Sequence, residues 1–269
     1  MLFRSVQEGF QLMLSETDDD RNVELQHVRE LASINVAGLI MVPTPKPLAE
    51  TVRLLKALPH VQLLRQQSAL GDQWFGMDDA KATVLAVEHL LQLGHRRIAY
   101  IGPSAELPTG AARLKGYRDA LGAAKSWDAK LELCGSPSDP EFGRAALRQL
   151  LGNAKPPTGV VLGGVQHTHS VIDECISLRV RVPDELSIVG FGDESAFRWW
   201  GAGLTSISLP VSELATSCGL WFLHQLRQRP AKLPSYSSMS SPTLVVRGST
   251  RALAEVVTPK RARSKAASS

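Results

Sequence analysis

Short apolar runs alternate with longer segments of helical period along this chain, and that alternation predicts an α/β fold of parallel sheet wrapped by helices. Two further observations sharpen the prediction. The helical segments open on capping residues, as at Asp78-Asp79 and Pro140, and one of them closes on Gly94. At 269 residues the chain also exceeds what one sheet core commonly needs, since domains of roughly 100–150 residues are the most frequent, so two lobes are expected.

The elements follow in order. Gln11–Ser15 reads as a strand, ended by the capping cluster Thr17–Asp20. In Arg21–Ile34, Val23, Leu25, Val28 and Leu31 recur at helical spacing. Ala37–Val42 is a buried strand, and the loop after it holds three prolines. A helix over Leu48–Leu58 leads to the strand Val61–Leu64. The helix from Asp78-Asp79 to Leu93 turns Val84, Val87, Leu90 and Leu91 inward. Strand, helix, strand then follow at Arg97–Ile101, Thr109–Leu121 and Lys130–Leu133. Next come a helix from Pro140 to Leu151, a strand at Thr158–Leu162, a helix at Gln166–Leu178 and a strand at Leu186–Phe191. Val211–Arg227 is the last long helix, Leu233–Pro242 a serine-rich loop, and Thr243–Arg247 the closing strand. Repeated βα units of this kind make a doubly wound sheet or a barrel. In doubly wound folds ligands bind beyond the carboxyl ends of the strands, so the residues just after each strand are the ones to inspect.

Composition excludes several classes. No apolar run approaches the roughly 18 residues of a membrane helix, and Met1–Phe10 lacks the apolar core of a signal peptide, so a cytoplasmic location is expected. The net charge of +4 comes from the last twelve residues, Thr258–Ser269, where Lys260, Arg261, Arg263 and Lys265 stand with no acid, so residues 251–269 read as a basic, disordered tail and not as a nucleic-acid surface. Cys134, Cys175 and Cys218 are too few and too far apart for a disulfide framework or a zinc site. Neither a nucleotide-cradling G-x-G-x-x-G after a first strand, nor a P-loop, nor a G-x-S-x-G elbow is present. An enzyme is not expected, nor a cofactor or a metal.

From Glu88 the pattern becomes specific. The stretch from Glu88 to Gly102, EHLLQLGHRRIAYIG, resembles the "HL…LGHRRIA.IGG" segment of LacI/GalR transcription regulators. Arg113–Tyr117 resembles that family's "R..GY", and Arg181–Phe191 its "RVPEDVSVVGFDD". Leu204–Ile207 is similar to "LTTV", and Leu244–Thr250 to the terminal "LVVRESTA". The resemblance implies a periplasmic-binding-protein type I fold, two doubly wound Rossmann-like lobes joined by three crossovers. It places 1–95 plus 209–232 in one lobe and 96–208 plus 233–250 in the other. It also implies an effector in the interlobe cleft, a homodimer, and operator binding governed by lobe closure. In that family a helix-turn-helix, a hinge helix and a first strand precede the equivalent of Phe10. None does here, so the chain is expected to be a fragment that reaches operator DNA only through a domain it lacks, with the first strand of lobe one missing.

The resemblance and the strand-end positions together nominate a ligand site. Asp78 and Asp79 stand where the family carries "DN"; at least one is expected to meet ligand hydroxyls, although capping suits an aspartate equally. Arg113 aligns with the family's cleft arginine, whose planar fork suits carboxylates, phosphates or vicinal hydroxyls. Thr109 and Glu106 lie in the loop before it. Trp200 matches a family aromatic near the ligand, while its neighbour Trp199 points elsewhere. Asp193 keeps the second place of "GFDD", whose first is Gly192. Gly164-Val165 replaces "ND", Arg65-Gln66 replaces "DR", and Leu209 replaces a glutamine. Gln166 or His167 could stand in for the lost asparagine, whereas His167 and His169, at i and i+2, do not share a helix face and so do not chelate a metal. The expected effector is a sugar or a small anionic metabolite. The expected function is the effector-sensing domain of a LacI-type repressor, with the receptor of an ABC sugar importer as the alternative on the same fold.

Overall fold

The computed structural model describes residues 9–228 and 233–253; segments 1–8, 229–232 and 254–269, the last containing the four basic residues of the tail, lie outside the described residues. The helices start where the capping chemistry sits. Asp20 accepts from the Asn22 and Val23 N–H groups ahead of α1 (Arg21–Ser33), and Asp78 accepts from Lys81 N–H ahead of α3 (Asp79–Gln92). The remaining helices are α2 (Ala49–Leu55), α4 (Pro108–Ala123), α5 (Pro140–Leu151), α6 (Val165–Ser177) and α7 (Val211–Gln228). Among the described residues no helix is long and apolar enough to cross a membrane.

The strands form two sheets. The first has the order β1 (Leu39–Met41), β2 (His60–Leu63), β3 (Trp74–Met77), β9 (Ser237–Ser240), all parallel. The second runs β10 (Thr243–Val245), β8 (Thr205–Ser208), β7 (Ser187–Phe191), β6 (Gly159–Leu162), β4 (Ile98–Pro103), β5 (Glu132–Gly135), with only β10 antiparallel. Every residue of β4, β6 and β7 is buried, as expected where helices cover both faces of a parallel sheet. The described chain passes between the sheets three times, after β3, after β8 and between β9 and β10.

Four expectations change. The first passage lies at Asp78 and not near His95, because α3 buries Ala82, Ala86, Val87 and Leu90 against α4 and the second sheet. The serine-rich 233–242 segment contributes β9 to the first sheet, hydrogen-bonding along β3 through its backbone, which serine side chains do not advertise. Gln11–Ser15 forms no strand; Leu12, Met13 and Leu14 are exposed, and no strand among the described residues accepts their ladder. At the other end Arg251–Leu253 are not loose tail: the Arg251 carbonyl meets His95 Nε2, and Leu253 N–H donates to the Leu93 carbonyl.

The α3–α4 contact depends on one residue. A Cβ on Gly116 would fall 2.2 Å from the Ala80 carbonyl oxygen and 2.5 Å from Thr83 Oγ1. Helix propensity alone favours alanine there by roughly 0.5–1 kcal/mol. Because backbone must move to admit the methyl, we expect Gly116→Ala to lower stability by about 1–3 kcal/mol net, read from the midpoint of urea unfolding. An unchanged or raised midpoint would contradict the close approach.

Candidate functional site

In the second sheet β5 lies to one side of β4 and β6 to the other, so the winding reverses between β4 and β6. At that switch point each strand carries glycine at or beside its end: Gly102, next to last in β4, Gly135, the last residue of β5, and Gly163-Gly164, just after β6. The first turns of α3, α4 and α6 start beside these ends.

Arg113, projecting from α4, organises the site. Its Nε donates to Asp79 Oδ1 at 2.7 Å and its Nη1 to the Gly163 carbonyl at 2.8 Å, while its guanidinium carbon stands 4.1 Å from the centre of the Phe191 ring. The side chains of Arg113 and Asp79 are only 15% and 8% exposed. Burial pushes the Asp79 carboxyl above the usual carboxylate range, and the Arg113 charge pulls it part of the way back. The guanidinium is therefore charge-matched and held by strand and ring, with Nη2 making no protein hydrogen bond among the described contacts.

Two side chains beside this pair carry polar atoms with no partner. Tyr100 is fully buried, 5.2 Å centre to centre from Tyr117. The Tyr117 hydroxyl donates to the Ile98 carbonyl at 2.8 Å, whereas the Tyr100 hydroxyl has nothing to bond. His167, in the first turn of α6, is 3% exposed, stands edge-on to Phe142 at 5.7 Å, and leaves both ring nitrogens unbonded. Burial pushes its pKa down to about 4, the Arg113 charge assisting and the nearby Gly135 backbone opposing from a position outside hydrogen-bond geometry, so the ring is neutral at pH 7.

The other nominated residues divide. Thr109 is half-buried in the first turn of α4 and Gln166 exposed in the first turn of α6, both at this end of the sheet. Glu106 is exposed, its N–H bonded to Ser104 Oγ. Asp78 is engaged as the cap of α3, so Asp78→Ala should cost about 1 kcal/mol of stability while Asp78→Asn changes little, as thermal melts of the two variants would show. Asp193, two residues beyond Phe191 after β7, is paired with Arg247 Nη2 at 2.7 Å and accepts from the Ser206 hydroxyl at 3.2 Å. Trp200 is not brought to Arg113. Because β7 and β8 are parallel, their connection returns to the amino end of the sheet, where Trp200 lines a cavity of about 250 Å³ with Cys175, Arg179 and Val182. His169 turns to Glu194, 2.8 Å away, and away from His167.

A second ion pair marks the carboxyl ends of the first sheet. Arg65, after β2, pairs with Asp19 (Nη2 to Oδ2, 2.9 Å) and donates to the Pro43 carbonyl at 3.0 Å. Glu24 is buried there and accepts from Thr44 N–H at 2.7 Å and Thr44 Oγ1 at 3.0 Å; burial raises its pKa. A separate, mostly apolar cavity of about 670 Å³ lies by His60, Leu70 and Leu226, with neither Arg65 nor Arg113 in its lining. Sequence reasoning did not single out Asp19, Glu24, Tyr100 or Phe191. The last two sit inside apolar strands, where nothing distinguishes them from core, and only the lone arginine after β2 hinted at the Asp19 pairing.

Comparison with known proteins agrees with this architecture. Residues 87–250 match a family described as periplasmic binding protein-like domain. The chain is 28% identical over 240 residues to the HTH-type transcriptional regulator GalR of Escherichia coli (strain K12), covering 88% of this chain and 69% of that protein. It is 25% identical over 256 residues to the HTH-type transcriptional repressor CytR of the same strain, covering 91% and 72%. A solved LacI family transcriptional regulator from Enterococcus faecium with bound ribose superposes with a TM-score of 0.82 at 22% identity, covering 94% of this chain and 92% of that one. These relatives are transcription regulators, which weighs against the importer-receptor alternative.

Proposed function

The chain belongs to the periplasmic binding protein-like family, in its LacI-type branch of regulators, and from that membership we infer that it is the effector-sensing part of a cytoplasmic transcription repressor. It catalyses nothing. A small molecule binds at the carboxyl ends of the strands of both sheets, and binding shifts a homodimer between operator-bound and released states. Operator contact is made by a DNA-binding domain of the kind such relatives are named for.

The observation that carries this reading is the Asp79–Arg113 pair, fixed at the switch point by the Gly163 carbonyl and the Phe191 ring, with one guanidinium nitrogen left for a ligand. A fork of donors held at that position is a recognition device, since its orientation costs the ligand no ordering. Asp79 and Arg113 are its centre. Thr109 and Gln166 border it, Asp78 shapes the helix start, Asp193 is paired with Arg247 beyond β7, and Trp200 lies outside the ligand contact.

Calorimetric titration of the chain with ribose, galactose, cytidine and inorganic phosphate tests the reading. Saturable binding of one compound, weakened at least tenfold in Arg113→Lys, is the expected outcome, because lysine lacks the fork. Binding unaffected by that substitution would remove Arg113 from the site.

A further inference from the structure

Five buried side-chain polar atoms among the described residues have no hydrogen-bond partner. Three of them, the Tyr100 hydroxyl and the two ring nitrogens of His167, flank a single dipeptide, Gly163-Gly164. A Cβ on Gly163 would fall 2.2 Å from the Tyr100 hydroxyl oxygen, and one on Gly102 2.3 Å from it. A Cβ on Gly164 would fall 2.8 Å from His167 Nδ1. Gly164 is extended, at φ −166° and ψ 156°, so successive positions face opposite sides of the chain and the two orphaned groups bracket the end of β6. Phenylalanine at 100 and an apolar residue at 167 would fill the same space without burying unpaired polar atoms, so as it stands the site forgoes stability.

We propose that the Gly163-Gly164 end of β6 is the floor of the effector subsite, and that Tyr100 and His167 are its specificity-determining polar groups, reading an uncharged ligand group that both donates and accepts, such as a hydroxyl. This rests on the effector reading above and narrows it. A phenol and a neutral imidazole together offer both donors and acceptors. The one cation beside them, Arg113, is already matched by Asp79, and the cation at the first sheet, Arg65, by Asp19. A phosphate or carboxylate placed there would meet those carboxylates without a spare positive charge. The missing side chains at 163 and 164 make room for the Tyr100 hydroxyl and the His167 ring against the strand end, and exposed Gln166 with half-buried Thr109 marks this end as facing solvent.

The test combines two readouts on the whole chain and its Tyr100→Phe, His167→Phe and His167→Leu variants, the last guarding against a phenylalanine that overfills the space. Melting of the free proteins comes first: each variant should melt at the wild-type temperature or about 2–4 °C above it, because no bond is lost. Binding comes second, with ribose, galactose, cellobiose and cytidine as uncharged probes and inorganic phosphate and glucose 6-phosphate as anions. An uncharged probe that binds the wild type should lose about tenfold in affinity with each variant. Lowered melting temperatures in all three variants would reveal structural partners and overturn the proposal. Binding of anions alone, or of an uncharged probe with full affinity to every variant, would overturn it and leave the effector reading standing. Binding of no probe by the wild type would overturn both.

Discussion

Arg113→Ala is expected to destabilise the chain by about 3–5 kcal/mol and to abolish effector binding together with that loss. The substitution removes the hydrogen bond to Gly163, the packing over Phe191 and, above all, the partner of Asp79, whose side chain is 8% exposed. An aspartate left there must carry an uncompensated charge or take up a proton, and its pKa is already raised by burial with the arginine present. Most of the cost is thus the stranded carboxylate, and it should be recoverable. The double variant Asp79→Asn/Arg113→Ala should be less destabilised than the sum of its single changes, by more than about 1 kcal/mol, since contacting pairs are non-additive. Urea unfolding of the four proteins at pH 7 closes the cycle. A single Arg113→Ala loss below about 1 kcal/mol, or simple additivity, would mean that the pair is solvated and makes no rigid platform.

Legibility in the sequence followed physical origin. Elements whose ends are set by local chemistry could be read: Asp20 and Asp78 each cap the helix that follows, and Pro140 opens one. Strands buried on both faces, such as Ile98–Pro103 and Ser187–Phe191, announced themselves as apolar runs. What depends on a distant partner was hidden. Trp74–Met77 is a four-residue strand broken by Gly76, and Ser237–Ser240 is a strand only because β3 offers it a ladder, while Gln11–Ser15 has the pattern and no ladder. The placement of α3 on the second sheet involves the fit of Ala80 and Thr83 against Gly116 on the adjacent helix α4, in contact in space but more than thirty residues apart in sequence. The site divided the same way. Arg113 and Asp79 were nominated through motif and strand-end position, and the structure pairs the two. Trp200 was misplaced because adjacency to a strand-end turn in sequence says nothing about a connection that runs the length of the sheet. At the start of α6 either Gln166 or His167 could serve, and burial favours the histidine.

That histidine should also set part of the response to acid. A free imidazole titrates near 6.5, and His167 in the folded chain near 4, so between those values the unfolded chain binds the extra proton. Stability owed to the neutral ring is therefore complete above about pH 6.5 and declines as pH falls towards 4, by about 3 kcal/mol in total. His89 and His95 are shifted in the same direction by burial and add to the slope, so the wild-type curve alone does not isolate His167. The difference between wild type and His167→Phe does. At pH 7 the variant should equal or slightly exceed the wild type, because it buries no unpaired nitrogen. At pH 4.5 it should exceed the wild type by about 2–3 kcal/mol, having no ring to protonate beside the Arg113 charge. Urea midpoints at the two pH values provide the comparison. Parallel curves would mean that the imidazole is solvated or bonded in the folded chain, and the neutral, unpartnered ring on which the effector subsite depends would have to be given up.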